Sequence, residues 1–137
     1  MSPIYRPEEG LSGTILVVDD KPAFRGILRE QLEADGYDVL EAEDGVTALR
    51  ILHRESVDVA VVDIFMPEVD GIEVLRTLRR ERTSTKVIVM SGGGELLPGG
   101  PYLELACSLG AVAALAKPFD LAVLSSWVEK CLAAEVS

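Results

Sequence analysis

Polar groups stand at the ends of four apolar runs in this chain. Asp19-Asp20 follow Thr14-Ile15-Leu16-Val17-Val18, and Asp63 closes Val57-Asp58-Val59-Ala60-Val61-Val62. Ser91 follows Lys86-Val87-Ile88-Val89-Met90, and Lys117 follows the run from Ala111 to Ala116. Such groups at the tips of buried strands are badly placed for packing and well placed for chemistry. Two carboxylates about 5 Å apart at an effective dielectric near 20 repel by roughly 3 kcal/mol. If Asp19, Asp20 and Asp63 converge they therefore need a cation, and an all-oxygen ligand set selects Mg2+ or a relative of it. A divalent ion and the Lys117 ammonium together would neutralise the three acids. The site could then receive a phosphoryl group, with Lys117 and the Ser91 hydroxyl holding its oxygens. The Asp63 carboxylate is a competent nucleophile under those conditions.

Convergence has to come from the elements that carry these residues. The runs at 14–18, 38–42, 57–62, 86–90 and 111–116 are short and mostly apolar, as strands are. The first, third and fourth are apolar almost throughout, which predicts strands covered on both faces. Between them lie helical patterns. Phe24, Ile27, Leu28 and Leu32 mark one face of the first, which should end near Asp35-Gly36. Asp44 can cap a second carrying Leu49 and Leu52, and Gly71 opens a third with Ile72, Leu75 and Leu78. A fourth spans Tyr102 to Leu109, and Asp120 caps a fifth with Leu121, Leu124, Val128 and Cys131 at helical spacing. Strands alternating with helices imply an α/β fold: a doubly wound, five-stranded parallel sheet with helices on both faces. Ligand sites in such folds lie at the carboxyl ends of the strands, which gathers Asp20, Asp63, Ser91 and Lys117 into one place.

Composition narrows the class. The 137 residues suit one domain, with 1–13 as a flexible tail and 14–135 as the folded unit. A formal charge of −10 and no basic stripe argue against direct nucleic-acid binding. No apolar run approaches a membrane span, and the N-terminus lacks the apolar core of a secretory signal. Cys107 and Cys131 form no metal-ligand pair, and reduced thiols in the cytoplasm are expected. His53, the only histidine, should be solvated, and Tyr37 and Trp127 should be packing residues. Arg76, Arg79, Arg80 and Arg82 read as a solvated helix face. The glycine run at 92–94 carries no Lys-Ser/Thr at a nucleotide-loop position.

Singly, each signal has an ordinary explanation. Asp19-Asp20 before Lys21-Pro22 could cap the first helix, Asp63 could be a polar strand end, and Ser91 and Lys117-Pro118 could belong to plain turns. The conjunction carries the inference. The quoted residues resemble the receiver domain of two-component response regulators, with the flavodoxin-like (βα)5 fold. The matching text is Ile15-Leu16-Val17-Val18-Asp19-Asp20, Asp63 with Met66-Pro67 and Asp70-Gly71, then Ser91, Gly110-Ala111 and Lys117-Pro118-Phe119. The resemblance implies that Asp63 accepts phosphate from a sensor histidine kinase or phosphotransfer protein. It implies that Asp19, Asp20, Asp63 and the backbone carbonyl of Phe65 organise Mg2+. It implies also that Ser91 reorients toward the aspartyl phosphate, that Lys117 pairs with it, and that a cis peptide precedes Pro118. The downstream protein partner is unknown on this reading, and homodimerisation is left open.

Two departures from the family pattern bear on signalling. Ala114 stands where most receivers carry Tyr or Phe, three residues before the lysine. The Gly92–Pro101 segment is longer and richer in glycine than usual. Together they suggest an order–disorder switch in that loop and the fourth helix instead of an aromatic one. Phe65 and Gly93 offer no polar side chain to position a hydrolytic water, so a moderately long-lived phosphoryl state is expected. One rival is a pseudo-receiver that binds partners without phosphorylation. Another is an aspartyl-phosphate phosphatase, which needs a second Asp two positions after the nucleophile. Phe65 occupies that position.

Overall fold

In the computed structural model, which describes residues 13–66, 68–92 and 100–133, five strands alternate with five helices. The strands are β1 (Thr14–Val18), β2 (Asp38–Ala42), β3 (Val59–Asp63), β4 (Lys86–Ser91) and β5 (Ala113–Ala116). The helices are α1 (Pro22–Ala34), α2 (Gly45–Arg54), α3 (Gly71–Arg80), α4 (Leu103–Ser108) and α5 (Leu121–Ala133). All strand pairings are parallel, in the order β2-β1-β3-β4-β5.

Alternation along the central strands feeds two cores. Leu16, Val18, Ala60, Val62, Val87 and Val89 face Ala48, Ile72, Leu75, Leu78 and Ala106 of α2, α3 and α4. The intervening residues, Ile15, Val17, Val59, Val61, Ile88 and Met90, face Leu28, Leu32, Leu124 and Val128 of α1 and α5. Burial on both faces explains why these strands read as continuous apolar runs.

Glycine and aspartate set the helix boundaries. The Asp44 and Asp70 side chains accept from the N–H groups of Thr47 at 2.7 Å and Glu73 at 3.0 Å, capping α2 and α3. Gly36, at φ 100°, ends α1, and Tyr37 N–H returns to the Leu32 carbonyl at 3.1 Å. Asp120 accepts from Ala122 N–H at 2.9 Å at the start of α5.

Several boundaries differ from the sequence expectation. β3 begins at Val59 and includes Asp63, which pairs in register with Met90, so the carboxylate belongs to the ladder's last rung. Val57 is buried without being a strand residue, and the Asp58 carboxylate accepts from Thr14 N–H at 2.8 Å. β5 starts at Ala113 and α4 spans only Leu103–Ser108. Ile27 is not a core residue: it is 50% exposed, because the i,i+4 pair Leu28 and Leu32 takes the buried line of α1. The tail at 1–12, Pro67, the glycine-rich stretch 93–99 and residues 134–135 lie outside the described residues.

Other expectations agree with the structure. Tyr37 is buried, and Trp127 packs at the edge of the second core beneath the Lys130 ammonium, 4.6 Å from its ring centre. His53 is exposed, with Nε2 3.0 Å from Glu81. Cys107 is exposed on α4, and Cys131 is buried on α5. Among the described residues no helix is long and apolar enough to cross a membrane.

Candidate acidic site at the strand ends

The order β2-β1-β3 makes the chain depart in opposite directions from β1 and β3, opening a crevice beyond their carboxyl ends. Val18 pairs with Val62, which sets Asp19 beside Asp63. Carboxylate oxygens of Asp19, Asp20 and Asp63 lie within 4.8 Å of one another. Asp19 is fully buried, Asp63 is 6% exposed and Asp20 opens to solvent. Asp20, Lys21, Asp63, Phe65, Ser91, Gly92 and Lys117 line a cleft of about 340 Å3.

Lys117 bridges the two buried acids. Its ammonium donates to Asp19 Oδ2 at 2.8 Å and to Asp63 Oδ2 at 3.0 Å. The peptide to Pro118 is cis, and Lys117 N–H donates to the Ser91 carbonyl at 2.7 Å. The Ser91 side chain is buried, and its hydroxyl donates to the Gly92 carbonyl at 3.0 Å. Asp63 Oδ1 accepts from Phe65 N–H at 3.0 Å, leaving Oδ2 for the lysine. Asp19 Oδ1 accepts from Lys21 N–H at 2.8 Å and so braces the turn before α1, whose N-cap is Lys21 with no side-chain cap.

Electrostatics set the two partners in the same direction. Burial pushes the Asp63 carboxyl above its ordinary range, against the opposing Lys117 ammonium and Phe65 N–H, and neighbouring Asp19 adds to the rise. Burial acts to lower the Lys117 pKa, but its hydrogen bonds to Asp19 and Asp63 and their charges prevail, leaving it raised. The lysine is therefore a fixed cation, and Asp63 is short of positive charge. A second cation fits that deficit. Three clustered carboxylates make a hard, all-oxygen donor set of the kind that Mg2+ takes.

Three supporting residues escaped the sequence reading. Arg25 Nη1 donates to the Asp19 carbonyl at 2.7 Å while its Nε pairs with Glu41 at 2.8 Å, and Arg29 completes the cluster on Glu41 at 2.6 Å. The hydrogen bond from Arg29 is the main cause that holds the Glu41 carboxyl below its usual range, with Arg25 adding to it. Phe24, assigned to the core from its periodicity, turns its ring face to the Lys117 ammonium at 4.4 Å. Charge-bearing positions divided between a helix and the following strand give no local sequence signal that could have found this set. Phe65 is 43% exposed beside the cleft and meets Tyr102 edge-on, with centroids 5.0 Å apart. Ala114 lies on β5, opposite Val89.

Close packing holds Asp63 in place. Gly71 N–H donates to the Ile64 carbonyl at 2.9 Å, and a Cβ at Gly71 would collide with the Asp63 carbonyl oxygen and backbone. Gly71→Ala should therefore cost about 1–3 kcal/mol, the usual range for overpacking against backbone. Urea unfolding followed by circular dichroism measures this directly. A loss below about 0.5 kcal/mol would show that the contact yields freely.

Residues 15–129 match the family model described as the response regulator receiver domain. The chain belongs to that family. Among relatives, it is 35% identical over 118 residues to sporulation initiation phosphotransferase F of Bacillus subtilis, covering 86% of this chain and 92% of that protein. It is 31% identical over 118 residues to the transcriptional regulatory protein GlrR of Escherichia coli, where the match covers 86% of this chain and 26% of that protein. A receiver domain from Clostridium thermocellum superposes with a TM-score of 0.82 at 30% identity, covering 90% of this chain and 96% of that one. The five-stranded parallel architecture is thus the receiver fold, and the chain is the phosphoacceptor module of a two-component response regulator.

Proposed function

We propose that Asp63 is the phosphoacceptor of this receiver, that Asp19, Asp20, Asp63 and the Phe65 carbonyl hold Mg2+, and that Lys117 and Ser91 bind the transferred group. The observation that carries this reading is the Lys117 ammonium, held at 2.8 and 3.0 Å between two buried carboxylates whose oxygens lie within 4.8 Å of Asp20. In the transfer, an Asp63 oxygen attacks phosphorus as the bond from phosphorus to the donor's imidazole nitrogen breaks. The imidazole leaves with the electron pair and is protonated from solvent. Mg2+ bound by the acids supplies charge neutralisation for the phosphoryl oxygens. Lys117 moves one hydrogen bond from Asp63 to a phosphoryl oxygen, and the Ser91 hydroxyl leaves the Gly92 carbonyl to donate to another. Hydrolysis of the acyl phosphate reverses the modification, so the domain acts on itself and turns over no external substrate.

The donor is a sensor histidine kinase or phosphotransfer protein, and the setting is cytoplasmic. Phosphorylation replaces a carboxylate by a group of about −1.5 to −2 charge. The output follows from the preference of that charge for one conformation of a protein-binding surface. Incubation with Mg2+ and acetyl phosphate should raise the intact mass by one phosphoryl group, removed by hydroxylamine and mapped to the peptide holding Asp63. No mass gain, or a gain elsewhere, would overturn the assignment. The former result would favour a module that binds partners unmodified, the reading to which Ala114 lends support.

A further inference from the structure

The phosphoryl-binding lysine has a third neighbour besides its two carboxylates. Phe24 lies in the first turn of α1, and the Lys117 ammonium sits 4.4 Å above its ring centre. Phe119 meets the same ring edge-on, with centroids 6.0 Å apart and planes at 84°. Two residues after the lysine, the β5–α5 connection thus fixes the orientation of the ring that faces it. Phe24 is half-buried and packs against the core shared by α1 and α5. An edge-on partner and a packed flank hold its π-face toward the cation.

This arrangement suits a cation that must change partners. Two of the three ammonium hydrogens engage Asp19 and Asp63. Once Asp63 is esterified, one of these must pass to a phosphoryl oxygen. A third carboxylate or carbonyl acceptor would compete for it. The ring attracts the cation without localising a hydrogen on any atom. Resting on the function proposed above, we infer that Phe24 is a positioning residue for phosphoryl transfer: its ring face, oriented by Phe119, holds the Lys117 ammonium over the cleft while its hydrogen bonds rearrange.

The test uses acetyl phosphate and Mg2+, so that no docking of a kinase on α1 enters the rate. Phe24→Leu should phosphorylate about three- to tenfold more slowly, whereas Phe24→Tyr stays within about twofold of the parent. Replacement of Phe24 by mono-, di- and trifluorophenylalanine weakens the negative ring face with little change in volume. The rate should then fall stepwise with fluorine number. Independently of any reaction, the Lys117 side-chain methylene protons should show an upfield ring-current shift in NMR spectra of the metal-free chain, lost in Phe24→Leu. A flat fluorine series, or an unshifted lysine, overturns the positioning role. A parent chain that takes no phosphoryl group on Asp63 overturns the proposed function and this inference with it. A phosphorylated parent with a flat series overturns only the inference.

Discussion

Asp63→Asn should abolish acetyl-phosphate labelling and, in metal-free buffer near neutral pH, make the domain more stable. The first effect follows because an amide oxygen is a poor nucleophile, so the rate should fall below about a hundredth of the parent, a barrier increase of at least about 2.7 kcal/mol. The second follows from the site's electrostatics. Asp63 and Asp19 are both buried, and Lys117 pairs with both. Removing one charge relieves a repulsion of roughly 3 kcal/mol at most. It also weakens a lysine hydrogen bond that Asp19 continues to provide, so the net gain should be about 1 kcal/mol.

The pH dependence has a definite sign. The Asp63 pKa is raised above its ordinary value of 3.8. Below 3.8 the residue is protonated in folded and unfolded chains alike, and its ionisation contributes nothing to stability. As pH rises from there through the folded-state value, the unfolded chain releases its proton more readily, and the penalty grows to its full size. The advantage of Asp63→Asn should therefore open over that window and be smallest in acid. Added Mg2+ should narrow it at neutral pH by stabilising only the parent carboxylate. Urea titrations at several pH values, with and without Mg2+, measure both trends. A variant less stable than the parent at neutral pH would contradict the charge-deficit account.

The strand ends were legible because their residues break a rule of packing. Asp63 follows a run of valine and alanine that only a two-sided core explains, and a carboxylate there has no packing role. The same logic picked out Asp19 and Lys117. Ser91 was legible by position alone. Boundaries were less so: Val57 and Ala111 extend their apolar runs, yet local hydrogen bonding starts the strands two residues later, at Val59 and Ala113. Ile27 was misplaced because an apolar residue beside Leu28 fits the helical period loosely, and only tertiary packing decides which line is buried.

Supporting contacts obey no such rule. Arg25, Glu41 and Phe24 are ordinary residues on α1 and β2. Their significance lies in what the fold sets opposite them: the Asp19 carbonyl, two guanidinium groups and the Lys117 ammonium. Two of the three Asp-Gly pairs show an intermediate case. Asp44 and Gly71 announced helix starts, and Asp44 and Asp70 are the caps. The glycines answer a different need, because a Cβ at Gly45 would strike the Val69 carbonyl and one at Gly71 would strike that of Asp63. Helix-capping chemistry could be read locally. The close approach of a distant backbone could not.

Lys117→Met should have the opposite effect on stability to Asp63→Asn, and a larger one. Methionine keeps most of the side-chain volume but removes the only cation paired with the Asp19 and Asp63 carboxylates among the described residues. Breaking a buried ion pair from one side costs about 3–5 kcal/mol when the remaining charge has no partner. Here two carboxylates remain. In metal-free buffer the midpoint of thermal unfolding should fall by roughly 10 °C. Mg2+ should recover part of that loss, since a cation bound by the acids replaces some of the missing charge. Acidification should recover part of it as well, because protonating Asp63 removes the repulsion. Combining Lys117→Met with Asp63→Asn separates this account from simple loss of packing. If charge is the cause, the double variant should be more stable than Lys117→Met alone, and the two single effects should couple by at least about 1 kcal/mol beyond additivity. Should the two single effects merely add, or Mg2+ leave Lys117→Met unchanged, the lysine would be a packing residue whose charge the fold does not need.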